Sequence, residues 1–110
     1  MPRRSTLERN VKRMITGYLD QMVEAGWCYY RMSVPVGYGK SGIDYEGCML
    51  GHFFGIEAKS PDPDADLTPR QRQCCVDIHN ACGAVFIISS DEGLRAFSRW
   101  VMRCSKASVR

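Results

Sequence analysis

The sequence lacks the features that mark membrane-embedded, secreted or repetitive proteins. It contains no continuous apolar run of about 18 residues, the length that a membrane-spanning helix requires. The amino-terminal residues Met-Pro-Arg-Arg lead into charged sequence with a helical pattern, instead of the apolar segment of a secretion signal. Internal repeats and low-complexity segments are also absent. These absences predict a cytoplasmic globular protein that makes no membrane contact.

Cysteine is present, but in no arrangement that marks a disulfide framework. The six residues are Cys28, Cys48, Cys74, Cys75, Cys82 and Cys104. They include no Cys-x-x-Cys pair, and without a secretion signal their even number does not predict disulfide bonds. Cys75 and His79 lie one helical turn apart, but a zinc site needs four ligands and no second pair is evident. Most of the cysteines fall at apolar-periodic positions, which predicts small buried thiols.

Length and composition predict one domain, residues 1–110. A chain of 110 residues, of which 45% are hydrophobic, can build one core and has no room for a second. Its net charge of +3 is unevenly distributed, because basic residues crowd both ends while acidic residues concentrate between Asp44 and Asp66. A basic surround attracts nucleic-acid phosphates, and an acidic centre binds cations. Solvated helix faces are the alternative explanation of these charges.

The first half of the chain predicts one helix followed by three strands. Ser5 and Glu8 match a capping box, and apolar residues then recur with helical spacing until Gly26 ends the pattern. Aromatic and β-branched residues dominate the next segments, and the last two of them are separated by a single glycine, which predicts a hairpin. The three predicted strands comprise residues 27–36, 43–50 and 52–59.

The second half predicts a helix, a strand and a last helix. An acidic loop with two prolines, residues 60–66, precedes Thr68, the expected helix N-cap. Pro69 suits the first helical position, and Gln71 closes a capping box. The apolar run at 84–88 indicates a strand buried on both faces, which can pair in parallel with an earlier strand through the helical crossover. The predicted fold is therefore α/β, a mixed central β-sheet flanked by helices in the order αβββαβα.

Asp44 and the triplet Glu57-Ala58-Lys59 form the most informative pattern in the sequence. Side chains alternate along a strand, so Glu57 and Lys59 share one face. Asp44, thirteen residues before Glu57, lies on the neighbouring hairpin strand and can converge with it at one end of the sheet. Two carboxylates can hold magnesium against a phosphodiester, and a lysine beside them can orient or deprotonate the attacking water.

Each of these residues also has an ordinary structural explanation. Glu57 and Lys59 could form a surface ion pair, which contributes only about 0 to 1 kcal/mol. Asp44 could be a turn residue, and Glu8 and Gln71 already have a structural use in their capping boxes. The apolar segment that runs directly into Glu57 favours the catalytic interpretation, because it resembles a buried strand that ends at a cleft.

Four segments of the chain carry a resemblance to a known family. They are residues 41–44 (SGID), 51–60 (GHFFGIEAKS), 67–71 (LTPRQ) and 83–88 (GAVFII). In this order and at these spacings they resemble the virus-type replication and repair nuclease (VRR-NUC) family of the PD-(D/E)xK superfamily. The resemblance covers nearly the whole chain, from Glu8 to the last strand. Ile43 is a departure, since the family usually has proline before the aspartate.

The resemblance implies a restriction-endonuclease-like fold and a DNA nuclease that depends on magnesium or manganese. Small stand-alone members occur in bacteriophages, resemble Holliday-junction resolvases and act as homodimers that cut two strands symmetrically. The family's metal-binding aspartate and glutamate, its lysine and its downstream glutamine fall on Asp44, Glu57, Lys59 and Gln71. The further metal ligands that the resemblance implies are the backbone carbonyl of Ala58 and the carboxylate of Glu8.

The sequence thus predicts a homodimeric endonuclease for branched DNA, acting in the cytoplasm of a bacterial host cell. The residues expected to contact DNA are Lys40, Ser41, Arg70 and Arg72. One alternative is a nuclease that acts on flaps or linear duplex. Another is a non-catalytic DNA-binding module, whose binding would be steeply salt-dependent and indifferent to magnesium.

Overall fold

The computed structural model describes residues 4–33, 35–36, 39–40 and 42–107. It confirms the predicted element order and adds one short hairpin, β2–β3, after the first strand. In chain order the elements are α1 (Arg4–Glu24), β1 (Cys28–Met32), β2 (Pro35–Val36), β3 (Gly39–Lys40), β4 (Tyr45–Met49), β5 (His52–Ala58), α2 (Pro69–Asn80), β6 (Ala84–Ile88) and α3 (Asp91–Ala107). Helix α1 already includes Ser5, so it begins before the predicted N-cap.

The central sheet is mixed, as predicted. Its four strands lie in the order β1-β4-β5-β6. Strand β4 is antiparallel to both β1 and β5, whereas β5 and β6 are parallel and joined through α2. Because the two central strands are antiparallel, the carboxyl end of β5 lies next to the start of β4.

Two predicted strand boundaries are wrong by a few residues. The predicted strand 27–36 is divided between β1 and the separate strand β2. The predicted strand 43–50 begins only at Tyr45, because the Asp44 N–H group donates to the Glu57 side chain instead of a backbone carbonyl.

The hairpin turn between β4 and β5 contains two residues, Leu50 and Gly51, with φ of 50° and 90°. Positive φ at both positions is typical of a two-residue hairpin turn with the right-handed twist of its strands.

The hydrophobic core lies on the face of the sheet that is covered by α1 and α3. Its side chains alternate along β4 and β5 and interdigitate with apolar residues one helical turn apart. Phe97 of α3 stands at its centre, with ring centroids 5.4 Å from Phe54 and 4.9 Å from Phe86. The fully buried large side chains of the core include Ile15, Leu19, Tyr45, Met49, Phe54, Ile56, Ile88, Phe97 and Val101. This packing fixes α1 against the sheet.

The opposite face of the sheet is only partly covered, by α2. Helix α2 has the predicted Thr68 N-cap, Pro69 at its start and a complete capping box with Gln71. It leaves Tyr29 and Ile87 exposed, by 69% and 48% of their surface. The prediction that residues 84–88 are buried on both faces is therefore wrong.

The prediction of mostly buried cysteines is also wrong. All six cysteines are free thiols, and only Cys104 is buried.

Gly47 is a position of β4 at which the sheet has no room for a side chain. A Cβ atom there would lie 2.1 Å from the Tyr29 carbonyl oxygen and 2.7 Å from the Tyr30 Cα atom. Both are backbone atoms of β1, so we expect Gly47→Ala to lower the free energy of unfolding by about 1–3 kcal/mol. Gly17→Ala is the control: its Cβ would meet nothing within 4 Å, and alanine should stabilise the interior of α1 by about 0.5–1 kcal/mol. Urea denaturation of both variants measures the difference, and equal stabilities would contradict the β1–β4 register.

Candidate active site

Asp44 and Glu57 converge at one end of the sheet, as their spacing predicts. Tyr45 pairs with Ile56, so one further step of the register places Asp44 opposite Glu57. The Asp44 N–H group donates to Glu57 Oε1 at 2.9 Å, and the Ala58 N–H group donates to Asp44 Oδ2 at 2.9 Å. The two carboxylates are only 3% and 1% exposed. Each is therefore held by the backbone beside the other carboxylate.

Gln71 connects Glu57 to the start of helix α2. Its Oε1 atom accepts a hydrogen bond from the Thr68 N–H group at 2.8 Å, which is one half of the capping box. Its Nε2 atom donates to Glu57 Oε2 at 2.7 Å. Because the helix cap takes the amide oxygen, the amide nitrogen faces the carboxylate. The capping function and the contact with the carboxylate pair are thus performed by one side chain.

Lys59 continues β5 by one residue beyond its last ladder position and lines the same cleft as Glu57. Its N–H group donates to the Ile88 carbonyl at 2.9 Å, so the backbone stays extended and keeps Lys59 on the Glu57 face. The cleft has a volume of about 190 Å³. Its lining includes Glu8, Glu57, Lys59, Ser60, Asp66, Thr68 and Gln71. Residues from α1, β5 and the start of α2 therefore meet around one opening.

Lys12 is a site residue that the sequence interpretation missed. Its Nζ atom lies 3.6 Å from Asp44 Oδ1. Lys12 follows Glu8 by one turn of α1, so both side chains project toward the same end of the sheet. That spacing is the signal that could have identified it, although only the packing of α1 shows which end of the sheet the two residues reach.

The oxygen donors at this position have the chemistry that magnesium prefers. Two adjacent carboxylates, Asp44 and Glu57, are hard ligands of the kind that bind magnesium together with water. The Ala58 N–H group donates to Asp44, and Ala58 lines the cleft, so its backbone lies beside the two carboxylates. The role of its carbonyl as a ligand stays a prediction. Glu8 lines the cleft, but among residues 4–33, 35–36, 39–40 and 42–107 no three His, Cys, Asp or Glu side chains form a group that could hold a metal ion. Water would have to supply the remaining ligands.

Charged side chains at the mouth of the cleft pair with each other. The pKa of Asp66 lies below its usual value. The largest cause is the hydrogen bond from the Leu67 N–H group, and the positive charges of Arg72 and Lys59 lower the pKa further. Arg72 forms an ion pair with Asp66, and both side chains are more than half exposed. Such an exposed pair can open when a phosphate approaches, because it contributes little to stability.

The predicted DNA contacts other than Arg72 have mixed positions. Arg70 is exposed in the first turn of α2, near the cleft. The backbone of Lys40 lies in β3, but its side chain and all of Ser41 lie outside the described part of the chain. The role of all four residues in DNA binding stays a prediction.

Two cysteines of α2 lie behind the carboxylate pair. Burial raises the pKa of the Cys74 and Cys75 thiols, and the negative charge of Glu57 adds to the shift in both cases. Both thiols are therefore protonated at neutral pH, which makes them poor nucleophiles and poor metal ligands. They contribute half-buried packing behind the site and no reactive group within it.

Comparisons of the chain with protein-family models, with curated proteins and with solved structures find no match. The resemblance to the VRR-NUC family thus rests on the four sequence segments alone. What the structure adds is independent of that family: two buried carboxylates side by side, a glutamine that donates to Glu57, and a cleft that Glu57, Gln71 and Lys59 line.

Proposed function

We propose that this chain is a metal-dependent DNA endonuclease of the VRR-NUC type that hydrolyses phosphodiester bonds in branched DNA. The observation that carries the proposal is the placement of Asp44 and Glu57, buried and joined through the Asp44 N–H group, beside a cleft that Lys59 also lines. Buried carboxylates destabilise a fold unless they are compensated, and such costly arrangements concentrate at functional sites.

The residues divide into those that would hold a metal ion and those that position them. Asp44, Glu57 and the Ala58 carbonyl would hold magnesium or manganese. When bound, such a cation supplies neutralisation of the phosphoryl oxygens and a water molecule of lowered pKa. Gln71 holds one oxygen of Glu57, and the Asp44 N–H group holds the other, so the carboxylate cannot rotate out of the site. Preorganisation of this kind avoids reorientation during the reaction.

Lys59 is the residue we assign to the reacting phosphate and water. Its ammonium group is a compact, movable charge with three donors, which can orient the attacking water or stabilise negative charge that develops on the phosphoryl group. The extended backbone and its bond to Ile88 keep the side chain on the Glu57 face of the strand. Lysine at this position would therefore lie beside a phosphate that enters the cleft next to Glu57.

We also propose that the protein acts as a homodimer, so that two sites cut opposite strands. The support is the incompletely covered face of the sheet, where Tyr29, Phe53 and Ile87 are 69%, 44% and 48% exposed. Exposed apolar side chains on one face of a sheet can belong to an interaction surface. Light scattering at micromolar concentration measures the mass, and a monomer would contradict symmetric cutting of two strands.

One observation favours the alternative of a non-catalytic DNA-binding module. Asp44 is paired with Lys12, and both oxygens of Glu57 accept hydrogen bonds, so the carboxylates already have structural partners. A module of this kind would bind DNA through its basic residues with a steep dependence on salt and none on magnesium. Flap or linear-duplex cleavage is the remaining alternative within the nuclease class.

Cleavage of a labelled four-way junction, a flap and a linear duplex distinguishes these functions. Each substrate is incubated with the protein in magnesium, in manganese and in EDTA, and the products are mapped at nucleotide resolution. We expect paired, symmetric cuts in the junction that require the divalent cation. Binding without strand scission under every condition would contradict the nuclease proposal and support the module, and cutting confined to the flap or duplex would contradict junction selectivity alone.

A further inference from the structure

Lys12 lies beside the Asp44 carboxylate but outside the residues assigned to the reaction. Its Nζ atom is 3.6 Å from Asp44 Oδ1, and the Lys12 side chain is 32% exposed while that of Asp44 is 3% exposed. Asp44 also neighbours a second buried carboxylate, Glu57. Two adjacent negative charges removed from water repel each other and need compensation. Lys12 brings a positive charge to this pair from helix α1.

The backbone of Lys12 is held by a core residue, Tyr45, and not by the ion pair of the Lys12 side chain. The hydroxyl group of Tyr45 donates to the Lys12 carbonyl at 3.1 Å and lies 3.0 Å from Thr16 Oγ1. Tyr45 is fully buried and directly follows Asp44 in the chain. Tyr45 therefore anchors the backbone of Lys12, the residue that pairs with Asp44. This bond fixes the position of α1 relative to the Asp44 carboxylate.

We propose that Lys12 is a resident counter-ion of Asp44, which must move away before Asp44 coordinates a divalent cation. This inference rests on the proposed function, because it takes Asp44 as a metal ligand. An ammonium group and a divalent cation compete for the same carboxylate, and they repel each other across the short distance that the site allows. Lys12 therefore stabilises the metal-free fold and lowers the affinity of the site for the cation.

The partial exposure of Lys12 supports a displacement of the side chain without movement of the helix. Its four-carbon stem can swing the ammonium group toward solvent while the carbonyl stays bonded to Tyr45. The displaced ammonium group would then be hydrated, which compensates for the loss of its ion pair with Asp44.

Titration with manganese chloride by isothermal calorimetry, together with thermal unfolding in EDTA, tests the proposal. The test variant is Lys12→Gln, and Lys12→Arg retains the charge. Arg13→Gln is the matched control, since it removes one positive charge from the neighbouring, exposed position of α1. We expect Lys12→Gln to bind manganese on the order of tenfold more tightly than the wild type and to unfold about 4–8 °C lower in EDTA. Lys12→Arg and Arg13→Gln should stay close to the wild type in both measurements.

The outcomes separate failure of this inference from failure of the proposed function. If the wild type binds manganese and Lys12→Gln binds it with the same affinity as Arg13→Gln, the competition is overturned while the metal site stands. If neither the wild type nor Lys12→Gln binds manganese, both proposals are overturned. Lys12→Met keeps the apolar stem of the side chain and replaces Lys12→Gln if that variant does not fold.

Discussion

Asp44→Asn and Lys59→Ala should each reduce metal-dependent DNA cleavage by at least about a hundredfold while leaving the protein folded. For Lys59 the expected range, about 10²–10⁴-fold, is that of a positioned group that assists proton transfer or stabilises charge. For Asp44 the loss has a different cause, because asparagine keeps an oxygen that can accept the Ala58 N–H group but has no negative charge to bind a cation. The measurement is single-turnover cleavage of a four-way junction in magnesium.

Two controls separate loss of chemistry from loss of charge or of structure. Lys106→Ala removes an exposed lysine near the end of α3, and Asp64→Asn removes an exposed carboxylate from the acidic loop. Both should cleave at the wild-type rate. Binding of the junction in EDTA should persist in Lys59→Ala, because most of the affinity of such a protein comes from its other basic residues. Cleavage at the wild-type rate by either active-site variant would show that the site assignment is wrong.

Glu57→Gln and Gln71→Glu should each lower the free energy of unfolding, and the double variant that combines them should recover most of the loss. Glu57→Gln places an amide donor against either the Gln71 amide or the Asp44 N–H group, both of which donate to Glu57 in the wild type. Gln71→Glu adds a third carboxylate to the pair Asp44 and Glu57, where like charges repel. We expect each single variant to lose about 1–3 kcal/mol of unfolding free energy.

The double variant Glu57→Gln, Gln71→Glu reverses the polarity of the bond between the two side chains. The amide introduced at position 57 then accepts from the Asp44 N–H group and donates to the carboxylate introduced at position 71. The other oxygen of that carboxylate accepts from the Thr68 N–H group of the helix cap. The expected coupling free energy is about 1–3 kcal/mol in favour of the double variant, measured by urea denaturation of all four proteins. Losses that simply add would show that this bond contributes nothing to the fold.

The same double variant also separates stability from catalysis. It retains one carboxylate and one amide at positions 57 and 71, but that carboxylate lies on α2 and no longer at the end of β5. We therefore expect its stability to approach that of the wild type while junction cleavage remains undetectable. Recovery of cleavage would show that position 57 needs no carboxylate, which would contradict the proposed metal site.

The features that sequence alone predicted correctly depend on neighbouring residues. Thr68, Pro69 and Gln71 specify the start of α2 because all three act within one helical turn. Alternation of side chains along β5 places Glu57 and Lys59 on one face, and the hairpin register then brings Asp44 opposite Glu57. The parallel pairing of β5 with β6 follows from the intervening helix.

The features that sequence did not predict depend on which surfaces other elements cover. Cys48 and Cys82 have positions in regular apolar patterns, yet both are exposed. Cys48 lies on the face of the sheet that α2 covers only in part, and Cys82 lies in the turn that follows α2. Ile87 is exposed for the same reason as Cys48. Periodicity identifies the face on which a side chain lies, but it contains no information on whether another element packs there.

By itself, the sequence determined the three helices, the four strands of the central sheet and their order, but not the short hairpin β2–β3. It also determined that Glu57 and Lys59 lie on one face, since this follows from the two-residue period of a strand. Only the tertiary structure decided that Gln71 reaches Glu57, that Glu8 lines the cleft, and that Lys12 pairs with Asp44. These contacts join residues from α1, β5 and α2, and their geometry depends on how the helices pack against the sheet. Packing of the core, through residues such as Tyr45, sets that geometry, and no local pattern specifies it.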